Sequence, residues 1–284
     1  VKIKRIDRHS CTFKANDVNV DYLQSDDYYK KSARLRGSVM LAGPLLARFK
    51  KAYLPKPGGD KIGRRRLDTH IIGFEKLGAT YTYNSHNSFF TLEATQLKGN
   101  FILLDEPSVT GTANILMAAV MAEGTTTIYN AACEPYLQQL CKMLNRMGAN
   151  ISGIGSNMLI INGVEKMTGT EHTMLADMIE VGSFIGLAAM THSDITIKNA
   201  GVASLGIIPD KFRQLGIQVD IKGDDIHIPS QEYYEIQKFM DGGVLSIYDH
   251  PWPGFTPDLL SIVLVTAVQA RGSVLIHQKM FESR

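Results

Sequence analysis

A helix end, a hydrophobic–glycine pair and an alternating strand recur three times along this chain, and that internal repeat restricts the fold more than any other feature. The copies are Ile72-Gly73-Phe74-Glu75-Lys76-Leu77-Gly78-Ala79, Met143-Leu144-Asn145-Arg146-Met147-Gly148-Ala149 and Asp210-Lys211-Phe212-Arg213-Gln214-Leu215-Gly216-Ile217. Their glycines stand roughly 70 residues apart, a spacing that points to one structural unit per copy. Each glycine falls where a helix C-cap needs positive φ. Period-two strands are expected after it, over 81–83, 151–153 and 218–221, with returning strands over 89–92, 158–161 and 225–228.

A second landmark shares this period. Small-residue helices rich in Ala, Leu and Met run through 117–122, 187–190 and 265–270, each followed by a β-branched strand. Helices without a charged face are expected to be buried all round, whereas the alternating strands should keep one face in solvent. Each unit therefore reads as helix–strand–helix–strand–strand, with helices inside and sheets outside, an inversion of the usual α/β layering. Residues 1–20 read as the closing strands of a unit whose helices are absent. Gly272 has no Leu-Gly partner before Arg284. The periodicity thus predicts an intact protein that extends in both directions.

Composition narrows the function classes. Of the 284 residues, 44% are hydrophobic and 20% charged, values of an ordinary globular protein. The longest apolar stretch, 262–270, falls far short of a bilayer span. Val1-Lys2-Ile3-Lys4-Arg5 is too short and too charged for a signal peptide. Cys11, Cys133 and Cys141 show neither CxxC nor metal spacing, so reduced thiols and no metal centre are expected. A net charge of +2 speaks against a general nucleic-acid surface. Local charge is more telling, because Lys61, Arg64, Arg65 and Arg66 crowd together, either as a solvated loop or as an anion site.

Polar residues gather where the repeats' helices begin, positions that favour anions. They stand at 31–38, at 105–114, at 175–183 and at 253–258. N-capping by Ser, Thr or Asp is the ordinary reading of each site taken singly, whereas four in register that could converge on one cleft shift the balance toward binding. The most specific stretch is Leu54-Pro55-Lys56-Pro57-Gly58-Gly59-Asp60-Lys61-Ile62-Gly63-Arg64-Arg65-Arg66-Leu67-Asp68-Thr69-His70. Its glycines and prolines mark a mobile loop, and the helix that follows at once lets that loop close like a lid. His86, His172, His192, His227 and His277 show no ligand spacing, and Trp252, between two prolines, reads as loop packing. His250 and Asp249, near Asp258, are candidates of lower rank.

The Leu35-Arg36-Gly37-Ser38 segment, Gly43-Pro44-Leu45-Leu46-Ala47-Arg48, the PGG loop with its Arg, Asp and His, Glu134-Pro135, Asp177 with Glu180, and Gly254-Phe255-Thr256-Pro257-Asp258 stand together in one order. In that order and spacing the chain resembles the UDP-N-acetylglucosamine enolpyruvyltransferases over essentially its whole length. The resemblance implies an α/β fold of two similar domains, each an inside-out α/β barrel of helix–strand–helix–strand–strand units, truncated here at both ends. It puts a first domain over 1–175, carrying the lid loop 55–67, and part of a second over 176–284.

The resemblance also implies a reaction: enolpyruvyl transfer from phosphoenolpyruvate to the 3-hydroxyl of UDP-N-acetylglucosamine, with release of phosphate, by addition and elimination. Asp60 takes the general-acid position, and Asp258 the base or orienting position at the hydroxyl. Arg65 resembles the residue that grips the phosphate of phosphoenolpyruvate. Arg66, Leu67, Asp68 and Thr69, with Glu106, Pro107, Ser108 and Val109, resemble a UDP-binding wall. Arg36 should touch the nucleotide sugar, Met280 should line the sugar site, and Arg284 should face the cleft. Many relatives carry cysteine at the place of Asp60, and often lysine at the place of Glu106. No cofactor is expected. The partners implied are these two substrates, with neither nucleic acid nor membrane, for a monomer in the cytoplasm. A UDP-sugar-binding paralogue without turnover, and the shikimate-3-phosphate enolpyruvyltransferase, are the alternatives.

Overall fold

The computed structural model describes residues 1–59, 66–84 and 89–281. An exposed antiparallel hairpin, β1 (Lys2–Arg5) and β2 (Cys11–Lys14), leads into α1 (Asp26–Ser32). A first unit follows, with α2 (Ala42–Phe49), β3 (Lys51–Pro55), α3 (Asp68–Lys76), β4 (Thr80–Asn84) and β5 (Phe89–Glu93). After β6 (Phe101–Leu103) comes a second: α4 (Val109–Ala119), β7 (Thr125–Tyr129), α5 (Pro135–Arg146), β8 (Asn150–Ser152) and β9 (Met158–Asn162). The third comprises α6 (Met178–Met190), β10 (Ile195–Ile197), α7 (Ile208–Gln214), β11 (Asp220–Lys222) and β12 (Asp225–Ile228). The chain continues through β13 (Leu245–Tyr248), α8 (Leu260–Ala267) and β14 (Val274–His277). The repeat read from the residues is the repeat that folds.

Its local devices behave as expected. Gly78, Gly148 and Gly216 hold φ of 93°, 105° and 89°, left-handed values that end each helix. In each unit the two closing strands pair antiparallel: β4 with β5, β8 with β9 and β11 with β12. Only β11 starts later than expected, because the Gln218 amide donates to the Gln231 side chain at 2.7 Å instead of joining a ladder. The units form separate small sheets, ordered β3-β5-β4, β6-β7-β9-β8 and β10-β12-β11, rather than one hydrogen-bonded closed barrel among the described residues. β6 adds parallel to β7, and β13 pairs parallel with β14.

Burial confirms the inverted layering in the first half and corrects it in the second. Strands β7 and β9 alternate between core and solvent. Helix α4 packs against α2, α3 and α5 and buries nearly every residue, including Thr112 and Asn114. Helices α6 and α8 pack on each other, but expose Phe184, Leu187, Leu264, Val265 and Val268. The expectation of burial all round fails there. Composition reports that a helix has no polar face, yet a neighbour on each side is needed to cover it, and the described residues supply none on that side.

The buried apolar side chains gather in two main clusters. One spans Leu23 to Ile161 and centres on α2, α3 and α4; the other spans Met178 to Ala267 and centres on α6, α7 and α8. Phe74 in the first and Phe212 in the second are almost wholly buried. Burying a side chain of that size contributes about 1.5–3 kcal/mol.

Candidate active site

One wall of the candidate site is built from segments far apart in sequence. Gly58 and Gly59 bring the base of the lid loop onto backbone 33–36. A Cβ on Gly58 would stand 2.2 Å from the Ala33 carbonyl oxygen, and Gly59 meets Arg36 at φ 98°. Only glycine permits that approach. Arg36, half-buried, reaches across with Nη2 to donate to the Arg66 carbonyl at 3.4 Å. Arg66 Nε donates to Asp68 Oδ2 at 2.8 Å in the first turn of α3. Next to it Thr69 Oγ1 donates to Asp105 Oδ1 at 2.9 Å. Asp68 above all, with Asp105 and Glu106 adding, raises the pKa of Arg66. The Arg66–Asp68 pair is exposed and therefore held weakly, so an anion of higher charge can take the guanidinium from it.

The bland explanation holds at two of the four helix starts. Ser108 caps α4 by accepting the Gly111 amide at 3.2 Å, and Asp177 caps α6 by accepting the Ile179 amide at 2.8 Å. Their side-chain oxygens thus satisfy the helices they begin. No side-chain cap is present at the short helices Arg36–Leu41 and Pro257–Leu259. These carry Arg36 and Asp258.

Behind the wall lies a buried polar network that sequence reading missed as a unit. Asn114, with no exposed surface, accepts the Gly43 amide on Oδ1 at 2.9 Å and donates through Nδ2 to the Val39 carbonyl at 2.8 Å. The same Nδ2 faces His70 Nδ1 at 2.9 Å, and His70 Nε2 meets Thr110 Oγ1 at 3.2 Å. Because Asn114 offers N–H to Nδ1, His70 must be neutral with its proton on Nε2. Burial, aided by the Arg36 charge, pushes its pKa down to about 4. The network locks the starts of α2, α3 and α4 together, and so sets the relative positions of Arg36, Asp68 and Ser108. Beneath Leu67, an apolar cavity between α3 and the β3-β5-β4 sheet separates this wall from the sheet.

The second cluster brings up the other group of residues. Asp258 stands exposed in the short helix that leads into α8, and Met280, 40% exposed, follows β14. Contacts between the clusters run through the start of α5. The Cys133 thiol donates to the Trp252 carbonyl at 3.7 Å, in the loop that leads to Asp258. Glu134, 8% exposed, has one carboxylate oxygen without a partner among the described residues, and burial raises its pKa. Tyr136 is raised chiefly by burial and then by the fields of Glu134, Asp258 and Asp177. Trp252 is a packing residue, as expected, its ring seated against Gly206.

Of the residues singled out in the sequence, Arg36, Arg66, Asp68, Thr69, Glu106 and Ser108 are brought into one region. Leu67 precedes α3, and half-buried Pro107 and Val109 flank Ser108. Asp258 and Met280 belong to the second cluster. Asp60, Arg65 and Arg284 lie outside the described residues, as does lid 60–65. Asn114, Glu134 and Tyr136 were not singled out as site residues. The only local signal for Asn114 was an amide side chain at the head of the apolar run Ile115 to Ala119.

A family model described as EPSP synthase (3-phosphoshikimate 1-carboxyvinyltransferase) matches residues 6–284. The chain is 66% identical over 275 residues to a UDP-N-acetylglucosamine 1-carboxyvinyltransferase of Bacteroides fragilis, covering 97% of this chain and 63% of the relative. It is 64% identical over 284 residues to the protein of that name from Porphyromonas gingivalis, covering 100% of this chain and 65% of the relative. The chain thus spans less than two thirds of the length of these relatives. Among solved structures it is similar to the enolpyruvyl transferase NikO from Streptomyces tendae, with a TM-score of 0.73 and 18% identity over 88% of this chain and 58% of that one. An EPSP synthase from Acinetobacter baumannii matches with a TM-score of 0.58 and 20% identity over 84% of this chain and 54% of its own. These two structural likenesses establish an enolpyruvyl transferase fold.

Proposed function

We propose, from the premise that this chain belongs to the EPSP synthase family, that the protein it comes from transfers enolpyruvyl from phosphoenolpyruvate to the 3-hydroxyl of UDP-N-acetylglucosamine and releases phosphate. The observation that carries this reading is the 64–66% identity, over nearly all of this chain, to relatives named for that activity. The solved EPSP synthases, at about 20% identity, are far more distant. In this reading the reaction commits an amino sugar to peptidoglycan in the cytoplasm. None of the described helices is long and apolar enough to cross a membrane.

The proposed division runs 1–175 and 176–284, supported by the two buried clusters, with the site between them. Asp258 takes the proton of the 3-hydroxyl, whose oxygen bonds to C2 of phosphoenolpyruvate while Asp60 delivers a proton to C3. The tetrahedral adduct then loses phosphate from C2 and a proton from C3. Arg65 grips the phosphate of phosphoenolpyruvate, the leaving group, a task suited to the bidentate guanidinium fork. Arg36, Arg66, Asp68, Thr69 and the 106–109 backbone form the nucleotide wall, Met280 lines the sugar, and Arg284 faces the cleft.

Two measurements on the full-length protein test this reading: calorimetric titration with UDP-N-acetylglucosamine, and phosphate release with both substrates. Saturable binding and release are expected, with shikimate 3-phosphate inert as acceptor. Binding without release would favour the non-catalytic paralogue, and turnover of shikimate 3-phosphate the other transferase. A second expectation concerns the epoxide fosfomycin, which alkylates a thiolate. Asp60 offers none, so the loop should stay unmodified by mass spectrometry after incubation, whereas Asp60→Cys should take up one adduct. Labelling of the wild-type loop defeats that expectation.

A further inference from the structure

The loops after β13 and β14 leave the carboxyl ends of two parallel strands, where open α/β sheets bind ligands. Tyr248 and His277 are register partners at those ends. The next residue after Tyr248 is Asp249, whose side chain is wholly buried. Its Oδ1 accepts the Lys279 amide at 2.6 Å and its Oδ2 the Met280 amide at 3.1 Å. Both acceptor oxygens of one carboxylate thus hold the second loop from the first. The ammonium of Lys279 lies 3.9 Å above the Tyr248 ring and ties the same two strands again.

The first loop is itself stiff. His250 N donates to the Phe255 carbonyl and Gly254 N to the Pro251 carbonyl, each at 2.9 Å, and Phe255 is sunk in the core. It then runs directly into the short helix Pro257–Leu259, which carries Asp258. One buried carboxylate therefore sets the spacing between Asp258 and Met280.

We propose that Asp249 is the positioning residue of the sugar half of the site, fixing the Met280 loop against the Asp258 loop through two backbone amides. This rests on the transferase reading above. Hydrogen bonds to an ionised acceptor are roughly twice as strong as neutral ones, so a pair of them on consecutive amides orients that loop in a way water cannot.

The experiment uses the full-length protein with Asp249→Asn, which keeps the side-chain shape but offers an N–H to one of the two amides, and with Asp249→Ala. Amide hydrogen exchange is expected to accelerate at Lys279 and Met280, with no change in peptides of residues 101–162. The KM for UDP-N-acetylglucosamine should rise on the order of tenfold, the size of one lost hydrogen bond to a charged group, with the KM for phosphoenolpyruvate within about twofold of wild type, because that substrate is gripped from the lid. Unchanged exchange at 279–280 in Asp249→Asn overturns the inference. So does a KM rise of equal size for both substrates, which marks general loosening of the fold. Should the wild-type protein fail to turn over, the transferase reading falls, and the exchange result still decides what Asp249 does. Should Asp249→Ala fail to fold, Asp249→Asn carries the test.

Discussion

Replacing Asp258 with asparagine in the full-length protein is expected to slow phosphate release by about 10²–10⁴-fold, the range ascribed to one positioned acid–base group. The affinity for UDP-N-acetylglucosamine, read by calorimetry, should stay within a few-fold of wild type. Asparagine preserves the shape and the accepting oxygen of the aspartate but cannot take the hydroxyl proton. A loss confined to kcat is the mark of an interaction made in the transition state alone. The position suits the role, because Asp258 stands exposed in the first turn of the short helix that leads into α8. That helix follows directly on the loop that Asp249 ties to Met280. An Asp258→Asn protein that releases phosphate at the wild-type rate would remove Asp258 from the chemistry.

Acid should weaken the first half of the molecule through His70. This side chain titrates near its ordinary value of 6.5 when unfolded and at about 4 when folded. As pH falls through that window the unfolded chain takes up a proton that the native network refuses. Stability is complete above pH 6.5 and is lost progressively, the loss approaching about 3 kcal/mol near pH 4, since each tenfold change in proton affinity is worth about 1.4 kcal/mol. Burial is the main cause, with the Arg36 charge adding to it, and a proton on Nδ1 would also point at the Asn114 amide N–H group 2.9 Å away. His70→Gln, which keeps an acceptor for Asn114 without titrating, should flatten this component. Denaturant midpoints measured from pH 7 to pH 4 check it: the wild-type curve should fall by up to about 3 kcal/mol more than the variant's. Parallel curves would show that His70 is not the group responsible.

The two expectations draw on residues that are unequally visible in the sequence. Asp258 was accessible through the family resemblance of Gly254-Phe255-Thr256-Pro257-Asp258, and Arg36, Asp68 and Thr69 through that of equally local motifs. The Asn114 network was not, because it joins residues 44 and 71 positions apart that share no pattern along the chain. Asp249 drew attention only as a neighbour of Asp258, and its partners lie 30 and 31 positions onward. Glu134 was visible as half of a Glu-Pro pair, but its burial against the Trp252 loop was not.

Taken alone, the residues determined what depends on neighbours along the chain: the helix-ending glycines, the alternating strands, their antiparallel return and the order of elements in each unit. Such features follow from the steric and hydrogen-bonding preferences of a few consecutive residues, so they can be read without a fold. Only the tertiary structure decided which polar groups meet in the interior, which helix faces are covered, and which loops one carboxylate ties together. Those outcomes turn on burial, and whether a side chain is buried depends on elements that sequence distance does not place beside it.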